Sequence, residues 1–106
     1  MWIMVAGPFR AGGVDAETRA KNLAALGVWE RGHVPVIGVN MVVPMIAAAG
    51  QDRYDDLMAP LSLALAERCD AVLRIGGASG GADREVELIR AKGGGVYRNL
   101  AEIPQA

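Results

Sequence analysis

The sequence predicts an α/β domain in which a parallel sheet of four to five strands is covered by helices on both faces, a three-layer sandwich. Three observations carry this. Short continuous apolar runs recur along the chain, helix-period segments lie between them, and glycine-rich loops follow two of the runs. With 106 residues the chain is expected to form one domain, residues 1–106, with a modest core and one principal site.

The first strand is residues 3–6, an apolar run stopped by Gly7 and Pro8. A strand in the middle of a parallel sheet has both faces covered, so it shows no alternation. The loop "GPFRAGGVD" follows, and a helical pattern then runs to Gly32. Its expected inner face is Ala16, Ala20, Leu23, Ala24 and Gly27, with Arg19, Lys21 and Glu30 turned away. Asp15 suits the N-cap and Gly32 the C-terminal stop.

"HVPVIGV" reads as the second strand, and Pro35 places it at a sheet edge, where a missing amide donor is tolerated. Residues 40–56, "NMVVPMIAAAGQDRYDD", combine an apolar run containing Pro44 with a polar run of no clear period, and read as an irregular loop or short helix. Helical periodicity returns over residues 57–68, with Leu57, Leu61, Ala64 and Leu65 as its stripe and Pro60 starting or kinking the helix. Leu63 points off that stripe, toward a subunit contact. "DAVLRIGG", "GADREVELIRAKGG" and "GVYRNL" then supply the third strand, a further helix and the fourth strand.

Composition narrows the function classes. An apolar fraction of 52% argues against disorder, and a net charge of −1 against a nucleic-acid surface. The single cysteine, Cys69, excludes an internal disulfide framework, and with one histidine it makes no cysteine-based zinc cluster. No metal and no cofactor is expected. The lack of a disulfide framework makes a reducing, cytoplasmic setting the expectation. The apolar start "MWIMVAG" is far shorter than the roughly 20 residues of a membrane helix and reads as a first buried strand, so no membrane association is expected. His33, between a helix stop and a strand, reads as structural. The aromatic residues are too scattered to form a base-stacking platform by themselves.

Open parallel sheets bind ligands at the carboxyl ends of their strands. In a flavodoxin-like, Rossmann-like strand order the loops after the first and third strands lie side by side. The first offers Gly7, Pro8, Phe9 and Arg10, whose guanidinium suits a phosphate, with Gly12 and Gly13 behind. The second offers the Ser79 hydroxyl with the amides of Gly80, Gly81 and Ala82 at a helix start. Each also reads as an ordinary connection, with an exposed arginine or a serine N-cap. Neither is a P-loop, and Ala78 stands where a Rossmann glycine would be needed.

In the helix that follows, Ala82, Val86 and Ile89 form the apolar stripe. Glu85 lies about 65° from its centre, Asp83 about 90° and Glu87 roughly 130°. Glu85 therefore leans toward the cleft, where a carboxylate suits a nucleophile or general base. Asp83 and Glu87 read as surface charges.

The stretches "IMVAGPFR", "GHVPVI", "CDAVLRI" and "SGGADREVELIRAKG" together resemble the nucleoside 2-deoxyribosyltransferase-like superfamily, especially its small DUF4406-type members. The resemblance implies cleavage of the N-glycosidic bond of a nucleoside or nucleotide by a glutamate nucleophile in S/D-x-G-x-x-x-E, matched by Ser79, Gly81 and Glu85. Serine at the first position, with Arg10 in the "GPFR" loop, implies a 5′-monophosphate. Two positions depart from the pattern: Ser62 stands where an aspartate that serves the base is expected, and Met4 replaces a tyrosine. Asp55 or Asp56 would substitute for that acid if the chain bent to bring them in. The alternatives are a catalytically inactive nucleotide-binding module and a protein keeping only the fold. In every case a homodimer or higher homo-oligomer is expected, because Leu63 and residues 41–49 exceed what one small sheet covers.

Overall fold

The computed structural model describes residues 1–9 and 15–106. Among these, β1 (Trp2–Ala6), β2 (Val34–Val36), β3 (Ala71–Arg74) and β4 (Gly95–Tyr97) form one sheet, ordered β2-β1-β3-β4, with every pairing parallel. Helices α1 (Asp15–Glu30), α2 (Gly38–Ala49), α3 (Tyr54–Glu67) and α4 (Gly80–Ala91) make the crossovers. The fold is a flavodoxin-like three-layer α/β sandwich. No helix among the described residues is long and apolar enough to cross a membrane.

Two cores flank the sheet because β1 and β3 are central and present side chains to both faces. Ile3, Val5, Ala71 and Leu73 pack with Val28 of α1 and with Ile103. Met4, Ala6 and Val72 pack on the opposite face with Ala66 of α3 and with Ala82, Val86 and Ile89 of α4. Complete burial of an aliphatic side chain of this size stabilises by roughly 1.5–3 kcal/mol, so these continuous apolar runs hold the sheet centre. β2 is the edge strand that Pro35 indicates.

His33 acts as a joint beside that edge. Its side chain is buried, the Met1 amine donates to Nδ1 at 2.8 Å, and Nε2 donates to the Pro104 carbonyl at 2.6 Å.

Three expectations are corrected. The stretch read as a loop or short helix holds most of the three-turn helix α2, which starts ahead of it at Gly38 and so shortens the second strand to Val34–Val36, and also the first residues of α3, which starts at Tyr54. Pro44 sits on its exposed side, where water can satisfy the carbonyl that loses its amide partner. Pro60 likewise lies inside α3 on an exposed face.

Helix α1 is rotated from the expected orientation. Ala16, Ala20 and Leu23 face solvent, while Lys21 and Val28 are buried and Ala24 and Ala25 half-buried. Gly27 does face inward: a Cβ there would overlap the Leu100 side chain.

Helix α3 buries Ser62 and Ala66, whereas Ala64 is exposed. Leu63 is half-buried and lines a cleft. Among large apolar side chains, Met41, Val43 and Met45 of α2 are exposed, as are Leu23, Leu26 and Trp29 of α1.

Candidate active site at the carboxyl edge of the sheet

Ala6 and Arg74 are register partners at the ends of β1 and β3, so the chain leaves the sheet there as two adjacent loops. Close contact between them depends on glycine. A Cβ on Gly7 would lie 3.1 Å from the Ile75 carbonyl oxygen, and one on Gly76 only 2.7 Å from Pro8 Cδ. Gly76 also has φ +77°, a left-handed conformation that other residues adopt with strain.

Arg74 shapes the second loop from beneath. Its buried guanidinium donates to the carbonyls of Ile75 and Gly77, the latter at 2.7 Å, and its Nε donates to Asp83 Oδ1 at 3.1 Å. The loop is thereby drawn over the end of its own strand and tied to the first turn of α4.

Ser79 is the N-cap of α4, with Oγ accepting from the Ala82 amide at 3.2 Å. This bond uses an oxygen lone pair and leaves the hydroxyl proton available as a donor. Gly80 and Gly81 occupy the first turn, whose amides lack intrahelical acceptors. A Cβ on either would meet nothing within 4 Å, so packing does not require glycine there.

Glu85 follows on α4 and enters a cleft of about 380 Å³. Gly7, Phe9, Ser79 and Gly81 line the same space, and α3 forms the facing wall with Tyr54, Asp55, Met58 and Ser62. Glu85 is half-buried, and its Oε2 atom is buried without a hydrogen-bond partner among the described residues. Burial pushes its carboxyl up to about 7, opposed by the positive charges of Lys21 and, next, Arg74. At neutral pH the group is therefore divided between acid and carboxylate, able to give a proton, take one or attack an electrophilic carbon.

Pro8 and Gly80 line a second, more open cleft of about 600 Å³, together with Lys21 and residues 75–81. Phe9, Ser79 and Gly81 form the partition between the two clefts, being common to both. The smaller cleft is the candidate site because it holds the perturbed acid. Arg10, Gly12 and Gly13 lie outside the described residues. Among the described residues no cluster of three or more His, Cys, Asp or Glu is placed to hold a metal ion.

Neither protein-family models nor curated proteins give a match to this chain.

Several site residues escape sequence reasoning. Helical periodicity turns Lys21 to solvent, yet it is 1% exposed and its Nζ donates to the Pro8 carbonyl at 2.7 Å. Arg74 does leave a signal, since a charged residue at the carboxyl end of an otherwise apolar central strand has few places to go except the loops above it. Asp55 and Ser62 lie seven residues apart on α3, which returns to nearly the same helix face. Both line the Glu85 cleft, Asp55 at its exposed rim, whereas Asp56 is turned from it and pairs with Arg53 at 2.9 Å. Ser62 is the buried member of the pair, with Gly38 packed so closely that a Cβ there would lie 2.9 Å from Ser62 Oγ.

Proposed function

We propose that the protein is a nucleoside 5′-monophosphate N-glycosidase or deoxyribosyltransferase in which Glu85 is the nucleophile. The observation that carries this reading is the buried Glu85 Oε2, without a hydrogen-bond partner among the described residues, in a cleft shared with Ser79 and Gly81, the other two members of the S-x-G-x-x-x-E pattern. The resemblance to the nucleoside 2-deoxyribosyltransferase-like superfamily supplies the substrate class.

The carboxylate attacks C1′ of the sugar while the bond from C1′ to the base nitrogen breaks. The base departs with that electron pair and is protonated from Asp55 or water. Water or a second base then displaces Glu85 from the glycosyl ester, so two inversions give net retention. The Ser79 hydroxyl and the first-turn amides of α4 hold the phosphate, with Arg10 from the preceding loop. Phe9 and Tyr54 offer flat apolar faces to the base. A volume of about 380 Å³ falls within the range of small-molecule sites. We assign this activity to the cytoplasm and to a homo-oligomer that covers Met41, Val43 and Met45.

Incubation of the purified chain with ribo- and deoxyribonucleoside monophosphates is expected to release free base, and Glu85→Gln to abolish it. Silence across the whole panel would overturn the proposal.

One observation favours a second reading, a nucleotide-binding module without turnover: the buried position facing the cleft holds Ser62, a residue with no carboxyl proton to give, whose hydroxyl donates to Met58 Sδ at 4.0 Å. Calorimetric binding of a nucleoside monophosphate, equal in wild type and Glu85→Ala and without turnover in either, would establish it.

A further inference from the structure

Lys21 is among the largest fully buried side chains of the described residues and is the only charged one of them. Removing an ammonium from water is costly unless it is bound and countered, and its surroundings supply both. Nζ donates to the Pro8 carbonyl at 2.7 Å and lies 5.5 Å from the centroid of the Phe9 ring, within reach of a cation–π attraction. The aliphatic stem passes beneath the loop, where a Cβ on Gly7 would lie 3.5 Å from Lys21 Cδ. The lysine thus holds three consecutive residues of the first loop, two of which line the Glu85 cleft.

We propose that Lys21 is a positioning residue of this cleft: held to the Pro8 carbonyl, it fixes the Gly7 and Phe9 wall and serves as the built-in counter-charge of the Glu85 carboxylate. The proposal rests on the reading of Glu85 as the acting acid. A lysine that merely stapled a loop would be indifferent to the charge on Glu85.

The two approach the carboxyl edge of the sheet from different helices, Lys21 from α1 and Glu85 from α4, and Gly7 and Phe9 lie against Lys21 while lining the Glu85 cleft. Burial lowers the Lys21 ammonium from its ordinary value, while Glu17 and Glu85 act to restore it. Among the described residues the other ionisable groups around Glu85 are Arg74 at the end of β3, Cys69 ahead of that strand, Tyr54 and Asp55 across the cleft and Arg84 on the same helix. Arg74 shares its charge with Asp83, and of the two cations opposing the burial of Glu85, Lys21 acts more strongly.

The test is a carbon-13 NMR titration of the Glu85 side-chain carboxyl in the whole chain. Lys21→Met keeps the stem and removes the charge, and it is expected to raise the Glu85 midpoint by about 1–2 pH units. An unmoved midpoint overturns the proposal. Because that variant also strips the donor from Pro8 and can fail to fold, the Lys21 Cε resonance is followed separately in wild type and in Glu85→Gln. A step at the Glu85 midpoint, present in wild type and absent in Glu85→Gln, is expected; no step in wild type overturns the proposal. Neither measurement requires substrate. If nucleotides yield no free base while the midpoint shifts, the glycosidase reading fails and the Lys21 assignment stands. Base release with an unmoved midpoint leaves the glycosidase reading standing and removes the Lys21 assignment.

Discussion

The Nε atom of Arg74 lies 3.1 Å from Oδ1 of Asp83, joining the end of β3 to the first turn of α4 across the loop that carries Ser79. The two partners are unequal: the Arg74 side chain is 7% exposed and that of Asp83 66%. Asp83→Ala is therefore expected to cost less than about 1 kcal/mol, since an ion pair with one solvated member is weak. Arg74→Met also deprives the Ile75 and Gly77 carbonyls of their donor, and is expected to cost about 2–3 kcal/mol. Urea denaturation of both variants checks the difference.

Glu85 should make stability fall as pH rises. Its folded value of about 7 exceeds the ordinary 4.5, so between these the native state holds a proton that the unfolded chain has released. The stabilisation from the protonated form is complete below about 4.5 and lost as pH rises through about 7. Glu85→Gln abolishes this dependence. It is expected to match wild type near pH 4 and to exceed it by up to about 3 kcal/mol at pH 8, as read by chemical denaturation at the two pH values.

The same titration orients the proposed chemistry. If Glu85 attacks as a carboxylate, kcat/KM for base release rises with pH and levels off above about 7. A rate that falls over this interval would assign Glu85 to proton donation instead. Initial rates from pH 5 to 9 decide between them.

Gly76 and Gly77 are neighbours with opposite tolerance. Alanine at Gly76 meets both a left-handed φ and Pro8 Cδ, and is expected to cost about 1–3 kcal/mol and to weaken nucleotide binding by parting the two loops. Alanine at Gly77 enters open space and is expected to change stability by less than about 1 kcal/mol. Paired melting curves and nucleotide titrations test this.

Legibility in the sequence follows the strength of the local signal. The last helix is readable because Ala82, Val86 and Ile89 repeat cleanly behind a serine cap, and these are its buried residues. The first helix is not, because alanines surround it and no apolar stripe dominates; Val28 and the buried Lys21 set its rotation instead. The second helix is hidden by Pro44, which reads as a breaker unless its exposed placement is known. On α3 the bulky leucines set the apparent stripe and so misplace the inner face, although the small residues Ser62 and Ala66 are the ones pressed inward.

By itself the sequence determined the parallel alternation of strands and helices, the glycine-rich loops at their carboxyl ends, and the angle at which Glu85 leaves its helix. These follow from periodicity and turn chemistry, which act over a few neighbouring residues. Tertiary structure alone decided that Lys21 lies beneath the first loop, that Arg74 binds the second, and that Asp55 and Ser62 face Glu85 across one cleft. Those relationships join segments distant along the chain, and both burial and charge coupling depend on distance in space.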